Sequence, residues 1–244
     1  MFNKEKVKND IVKWIQDWFE KNGKDANAVI ALSGGKDSSI CAALLVEALG
    51  KDRVFGVMIP NGNNKDMDIA TELANHLGIK YYIVDIKKAF DSIIENIKET
   101  GLNPGPQSIT NLPPRLRMSV TYAVSQCLNG RVCNTCNLSE DYVGYSTRYG
   151  DSVGDFSPLS KLTVHEVKEI GRALNLPSKF VDKVPVDGLQ PKTDEENLGF
   201  TYEVLDKYIR TGKIEDLNIK ENIDRRHNAN LFKLKLMDIF PYEQ

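Results

Sequence analysis

A short segment near the N-terminus has the residue types and spacing of a phosphate-binding loop. It consists of Ser33, Gly34, Gly35, Lys36, Asp37, Ser38 and Ser39, and it stands between an apolar run and a helical pattern. Adjacent glycines let the backbone approach phosphate oxygens closely, and the N–H groups at the start of a helix attract anions. The serine hydroxyls add hydrogen-bond donors. The segment therefore predicts a polyphosphate site, the alternative being a glycine turn that merely caps a helix.

The carboxylate of Asp37 is the unusual member of this loop. It would repel a polyphosphate unless a divalent cation lay between them, so Mg²⁺ is part of the prediction. The spacing G-x-x-x-x-G-K-S/T is absent, and the segment is therefore not a Walker A loop. A phosphate loop of another type is expected.

The elements around the loop predict a parallel sheet. Apolar runs at 28–32, 54–59 and 81–86 show no strict alternation and are predicted to be buried strands. Helical patterns at 38–49 and 66–77 separate these strands, and each ends at a glycine. The β-α-β-α-β series predicts an α/β fold with a doubly wound, mainly parallel sheet and helices on both faces.

Further elements are expected on both sides of this series. A leading helix is predicted at 4–21 and a fourth strand at 132–134. Residues 101–114 contain four of the ten prolines, which predicts a long loop or a mobile lid. Later helices are predicted at 115–128, 164–174, 194–208 and 218–239.

The composition limits the class of protein. The chain has 244 residues, 41% of them hydrophobic, and 32 Lys and Arg against 34 Asp and Glu. These values predict one globular domain, 1–244, without a basic block for a nucleic acid. No apolar run is long enough to cross a membrane, and the charged residues 1–10 do not resemble a secretory signal. Four cysteines do not make a disulfide framework, so a cytoplasmic protein is expected.

Motifs downstream of the loop point to a family. They lie at 111–118, 134–140, 144–151, 155, 158–159, 183–185, 193–195, 198–199, 202 and 205–206. The phosphate loop resembles the SGGxDS signature of the N-type ATP pyrophosphatases, which split ATP between its α and β phosphates. The whole series resembles the NAD synthetase family in order and spacing, from the loop to about Lys233.

The resemblance implies ATP-dependent amidation of the nicotinate carboxylate of deamido-NAD. The carboxylate is adenylated with release of pyrophosphate, and ammonia then displaces AMP. The implied fold is adenine nucleotide alpha hydrolase-like, or Rossmann-like, and the implied assembly is a homodimer. A chain of this length lacks room for a glutaminase domain, so ammonia is expected to be free or to come from a separate subunit.

The resemblance also implies roles for individual residues. Asp37 and Glu140 match the Mg²⁺ ligands and are the expected catalytic residues, and Thr135 matches an ATP contact. The expected deamido-NAD ligands are Arg115, Arg148, Asp155 and Lys233. Residues 101–114 and 186–195 are candidate covers that keep water away from the reactive adenylate.

Several positions depart from the family pattern. Val164 stands where a lysine that reaches ATP is usual, and Val186 replaces a hydroxyl residue. Neither valine can bond to phosphate or adenine. Asn134 replaces a glycine, and Phe232 replaces a histidine. Two other functions therefore stay open, namely amidation of a different carboxylate and nucleotide binding by a regulator without turnover.

A third alternative rests on the pair Cys133 and Cys136. Their C-x-x-C spacing beside a phosphate loop of this type is similar to that of tRNA sulfur transferases. A metal cluster usually needs a third and a fourth ligand, and only Cys41 and Cys127 remain, without a second paired spacing. The sequence therefore favours a packing role for the pair.

Overall fold

The structure is a computed structural model that describes residues 2–62, 67–182 and 193–242. Its parallel sheet contains β1 (Asn27–Ala31), β2 (Val54–Met58), β3 (Lys80–Ile83) and β4 (Gly130–Cys133). The strand order is β3-β2-β1-β4, so β4 returns to the free side of β1. The predicted α/β fold with a parallel sheet is confirmed. Because the direction of winding reverses between β1 and β4, the crevice at their carboxyl ends is the expected ligand site.

Helices surround the sheet. They are α1 (Lys4–Asn22), α2 (Lys36–Leu49), α3 (Met67–Leu77), α4 (Lys87–Glu99), α5 (Pro106–Cys127), α6 (Leu138–Tyr142), α7 (Val164–Ala173), α8 (Ser178–Val181), α9 (Asp194–Leu198), α10 (Tyr202–Thr211) and α11 (Leu217–Asn230). Short 3₁₀ turns cover Lys51–Arg53 and Leu231–Leu234. Within the described ranges, no helix is both long enough and apolar enough to span a membrane.

Alternate residues of the strands form two separate cores. Ala28 and Ile30 of β1 pack in the larger core, which also contains α1, α2, α3 and α7. Val29 and Val57 point to the other face and pack against α5. A third apolar cluster, away from the sheet, joins α6, α7, α9, α10 and α11. The sheet is thus covered on both faces, as expected for parallel strands.

The predicted loop at 101–114 was wrong, because α5 begins at Pro106 and includes Pro113 and Pro114. Pro106 occupies the first turn, where a missing N–H breaks no helical bond. The interior prolines remove two helical bonds, but the preceding turns are exposed, so the freed carbonyls are accessible to water. A lid formed by a 14-residue loop is therefore not part of this fold. The second candidate cover, 186–195, lies largely outside the described residues, as does Val186.

Other boundaries also differ from the predictions. The single helix predicted at 194–208 is two helices, because Gly199 adopts a left-handed φ of +82° after α9. The last helix ends at Asn230 rather than at 239. Helix α4 was not predicted, although Phe90, Ile93, Ile94 and Ile97 recur at helical spacing.

Gly56 of β2 has little room for a larger side chain. A Cβ at this position would lie 2.4 Å from Cδ1 of Leu32, which leads into the phosphate loop. We expect Gly56→Ala to lower the free energy of unfolding by about 1–3 kcal/mol, because Leu32 must move within a packed core. Urea unfolding followed by circular dichroism measures this loss. In the control Gly105→Ala the added Cβ has nothing within 4 Å, and the loss should stay below about 1 kcal/mol; equal losses would contradict the packing argument.

Candidate active site

The phosphate loop lies at the carboxyl end of β1, with Gly35 as the N-cap of α2. The hydroxyls of Ser38 and Ser39 donate to the Gly35 carbonyl at 3.1 and 2.7 Å, and the Gly35 N–H donates to Ser33 Oγ at 3.2 Å. Gly34 has a φ of +77°, which favours glycine. The serines thus hold the shape of the loop. The first N–H groups of α2 have no intrahelical acceptor and are available to an anion.

The segment after β4 forms the other side of the crevice, and Asn134 holds it in place. The Asn134 amide nitrogen donates to the carbonyls of Asp151 and Val153 at 2.8 and 3.2 Å. Its oxygen accepts from the Cys136 N–H and from the Ser157 hydroxyl, each at 2.9 Å. Asn134 therefore organises the turn at Thr135, the expected ATP contact. Sequence reasoning noted only that Asn134 replaces a glycine.

Asn137 connects the two sides of the crevice. It is fully buried and is the N-cap of α6, where its oxygen accepts from the Glu140 N–H at 3.0 Å. Its amide nitrogen donates to Oδ1 of Asp37 at 3.1 Å. One side chain thus orients both predicted metal ligands. Sequence reasoning missed this role, although Asn followed three residues later by Glu is a signature of a helix start.

Lys36 lies between the two predicted metal ligands. Its Nζ is 2.7 Å from Oδ2 of Asp37 and 3.5 Å from Oε1 of Glu140, and its side chain is only 2% exposed. Burial lowers the pKa of the Lys36 ammonium, but Asp37 and Glu140 outweigh this effect, so the pKa lies well above its usual value. Burial and the nearby Asp37 carboxylate raise the pKa of Glu140. The structure therefore brings two carboxylates together around one buried cation.

The donor set fits Mg²⁺ bound together with a nucleotide. Across the described part of the chain, no group of three or more His, Cys, Asp or Glu side chains could hold a metal ion alone. Mg²⁺ is usually held by one or two carboxylates, with substrate phosphates and water completing its shell. Asp37 and Glu140 beside the start of α2 supply that number of carboxylates. The residues present are therefore suitable for Mg²⁺ in the presence of ATP.

Three of the predicted substrate residues meet around the segment 144–149. Lys233 Nζ donates to the carbonyls of Gly144 and Ser146 at 2.8 and 3.1 Å. Arg115 Nε donates to the Arg148 carbonyl at 3.2 Å. The Arg148 guanidinium lies 5.2 Å from the centre of the Phe232 ring. This basic group is anchored to backbone carbonyls and aromatic rings, which leaves its positive charge for an anionic substrate.

Asp155, the fourth predicted substrate residue, lies at the outer edge of β4. Its Oδ2 accepts from the Val132 N–H at 2.7 Å, and its Oδ1 accepts from the Tyr122 hydroxyl at 3.2 Å. Burial and the Asp155 charge raise the pKa of Tyr122 to about 12, so the phenol stays protonated and can donate. Asp155 is thus held in a fixed orientation and retains acceptor capacity for a ligand.

A buried carboxylate, Asp206 of α10, links three helices behind Glu140. The hydroxyl of Ser139 donates to Oδ1 of Asp206 at 2.5 Å, and the His165 N–H donates to Oδ2 at 2.8 Å. The Val164 N–H donates to Ser139 Oγ at 3.1 Å. The Val164 side chain is 4% exposed and lies in the third apolar cluster. Val164 therefore contributes packing at a position where the family resemblance expects a charged contact.

The cysteines do not have the environment of a sulfur-transfer site. Cys41, Cys133 and Cys136 are buried, and burial raises the pKa of the thiols of Cys41 and Cys136 well above the usual value. The thiols of Cys133 and Cys136 donate to the carbonyls of Asn134 and Asp151, respectively. A thiol rather than a thiolate is therefore favoured at Cys41 and Cys136, which disfavours metal binding and nucleophilic attack by these two residues.

The Asp206 link can be tested by stability measurements. Asp206→Asn keeps the shape of the side chain but replaces one acceptor oxygen with an NH₂ group. We expect the free energy of unfolding to fall by about 1–3 kcal/mol, because a buried donor loses its partner. Urea denaturation of Asp206→Asn and of the control Asp224→Asn provides the comparison. Asp224 accepts from Tyr208 and Lys220 at the surface, so its variant should lose less than about 1 kcal/mol; a similar loss in the two variants would argue against the link.

Known proteins resemble this chain over most of its length. A family model described as NAD synthase matches residues 7–240. The NH(3)-dependent NAD(+) synthetase of Methanococcus aeolicus is 41% identical over 209 residues, 82% of this chain and 80% of the relative. The enzyme of the same name from Finegoldia magna is 32% identical over 244 residues, 99% of this chain and 98% of the relative.

Two solved structures are also similar to the chain. The NMN synthetase from Francisella tularensis has a TM-score of 0.90 and 32% identity, and the match covers 99% of this chain and all of that chain. The NH3-dependent NAD synthetase from Campylobacter jejuni has a TM-score of 0.80 and 30% identity, with 98% of this chain and all of that chain covered. Phosphate loop, crevice and sequence relationship agree: the chain belongs to the NAD synthase family and is a ligase that binds ATP and forms a C–N bond.

Proposed function

We propose that this enzyme amidates the nicotinate carboxylate of deamido-NAD with ammonia and Mg-ATP, releasing NAD, AMP and pyrophosphate. The observation that carries the proposal is the connection from Asp37 through Asn137 to Glu140, next to a phosphate loop at the switch point of the sheet. The NH3-dependent synthetases that resemble the chain over 80–98% of their own length support the choice of reaction.

The chemistry proceeds in two displacements. A carboxylate oxygen of the substrate attacks the α-phosphorus of ATP, and the bond to pyrophosphate breaks. Ammonia then attacks the carbonyl carbon of the adenylate, loses a proton, and AMP leaves. Mg²⁺ held by Asp37 and Glu140 would neutralise phosphate charge, and the N–H groups at the start of α2 would stabilise the charge that develops on the leaving pyrophosphate.

The remaining predicted residues bind the substrates in this proposal. Thr135 contacts ATP from the turn after β4. Arg115, Arg148 and Lys233 attract the phosphates of deamido-NAD, and Asp155 accepts a hydrogen bond from it. The segment 144–149 accepts hydrogen bonds from Arg115 and Lys233, which supports a shared binding surface for the second substrate.

One observation supports nicotinate mononucleotide as a second candidate substrate. The neighbour with a TM-score of 0.90 is named an NMN synthetase, whereas the NAD synthetase from C. jejuni scores 0.80. Both substrates carry the same nicotinate carboxylate, so the same adenylation would serve either of them. Only deamido-NAD also carries an adenylate half. An assay of both substrates therefore shows which of the two the enzyme prefers.

The assay uses purified protein, Mg-ATP and ammonium with either deamido-NAD or nicotinate mononucleotide. We expect NAD, AMP and pyrophosphate in equal amounts, with a higher kcat/KM for deamido-NAD. Preference for the mononucleotide would reassign the substrate, and release of ADP with orthophosphate would contradict adenylation. Glutamine in place of ammonium should give no product; product from glutamine would contradict our proposal that this single synthetase domain uses free or externally supplied ammonia.

We also propose a cytoplasmic homodimer that binds no nucleic acid or membrane. Support for the dimer comes from the outer edge of the sheet at β3 and the neighbouring helices. Ile83 is 55% exposed, Leu102 67% and Ile109 45%, and α4 has five apolar side chains but no buried residue. Exposed apolar side chains of this kind are typical of an interface between subunits.

Sedimentation equilibrium of the whole chain tests the dimer. We expect a dimer for the wild type and a shift toward monomer for Leu102→Asp and Ile109→Asp, because each variant places a charge in the apolar surface. Leu217→Asp is the control, since Leu217 is 74% exposed at the start of α11. A wild-type monomer, or dissociation of the control alone, would contradict the proposed interface.

A further inference from the structure

Lys36 is the most deeply buried cation of the candidate site. Only 2% of its side chain is exposed, and its Nζ contacts Asp37 at 2.7 Å and Glu140 at 3.5 Å. Lysine is almost never buried to this degree unless it is paired. The Tyr202 ring lies 5.8 Å from the same Nζ and closes the site on the side of the third apolar cluster. Two carboxylates and an aromatic ring thus form a cage around one ammonium group.

The same two carboxylates are the proposed ligands of Mg²⁺. When both are ionised they have a charge of −2, the Lys36 ammonium offsets half of it, and the buried carboxylate of Asp194 adds negative charge nearby. A divalent cation that binds to Asp37 and Glu140 alone would lie within a few ångströms of this fixed positive charge, in surroundings where charges are poorly screened. A nucleotide adds several negative charges at the same place. The balance of charge therefore favours the metal only when the polyphosphate is present.

We propose that Lys36 is a built-in counter-cation that pairs with Asp37 and Glu140 in the free enzyme, so that the metal binds only together with the nucleotide. This inference rests on the proposed metal site. When Mg-ATP enters, the metal replaces the ammonium as partner of the two carboxylates. Lys36 then becomes available to the phosphates beside the first turn of α2. The residue thereby prevents the empty site from binding divalent cations unproductively.

The alternative is that Lys36 forms a purely structural ion pair. The two cases predict different changes in the affinity for metal when Lys36 is replaced. If Lys36 only stabilises the fold, its replacement weakens or leaves unchanged the affinity for metal. If Lys36 competes with the metal, its replacement strengthens metal binding in the absence of nucleotide. Damage to the fold cannot produce such a gain. Lys220 offers a matched control, because it also pairs with a carboxylate, Asp224 at 2.6 Å, and lies 5.6 Å from the ring of Tyr208.

The experiment is a titration with Mn²⁺ followed by electron paramagnetic resonance, without nucleotide and with α,β-methylene-ATP. The wild type should bind Mn²⁺ weakly alone and at least about 100-fold more tightly with the analogue. Without nucleotide, Lys36→Gln and Lys36→Met should each bind Mn²⁺ at least about tenfold more tightly than the wild type. Lys220→Gln should match the wild type, and Glu140→Gln should lose the binding seen with the analogue.

Each contrary result has a distinct meaning. If the folded Lys36 variants bind Mn²⁺ no more tightly than the wild type, the counter-cation role is overturned while the proposed metal site stands. If the wild type binds Mn²⁺ tightly without nucleotide, the role is overturned even when neither variant folds. If the wild type binds no Mn²⁺ with the analogue, the proposed metal site itself is wrong, and the inference fails with it.

Discussion

The geometry of the site depends on the side chain of Asn137. Its oxygen caps α6, and its amide nitrogen holds Asp37 at the start of α2. One buried amide makes both bonds and so links the loops after β1 and β4. Neighbouring parallel strands bring the loops to the same edge of the sheet, and this bond together with the Lys36 ion pairs holds their carboxylates close to each other. Asp206 supports the arrangement from behind through Ser139, the residue next to Glu140.

Buried charge is the second constraint, and it explains why the site needs its ligands. Two carboxylates and one ammonium lie largely buried in the crevice, so with both carboxylates ionised the free enzyme retains one uncompensated negative charge among these three groups. The proposed Mg²⁺ would enter together with ATP and so add charges of both signs. The basic residues around 144–149 lie outside this cage, where their charge remains available to the second substrate. The separation of the two charged groups suits a reaction in which both substrates are anionic.

The sequence predicted the elements whose formation depends on residues that are neighbours along the chain. The strands, the phosphate loop and α2 follow from apolar runs, adjacent glycines and a helical period, and all of them are present in the structure. The prediction of secondary structure failed where the exposure of a segment, rather than its residue types, decides its conformation. The prolines of 106–114 suggested a loop, yet α5 includes them because its first turns are exposed and its later residues pack on β1 and β2. Likewise, Gly199 ends α9 within a pattern that looked like one continuous helix.

The sequence by itself determined the fold class and the family, because residue spacing and motif order can be read along the chain. It could also name Asp37 and Glu140 without showing how they meet. Only the tertiary structure decided that Asn137 joins them, that Lys36 lies buried between them, and that Val164 packs instead of contacting a ligand. These features join residues about 100 positions apart along the chain. They depend on burial and hydrogen-bond geometry, which exist only after β4 has returned to the side of β1.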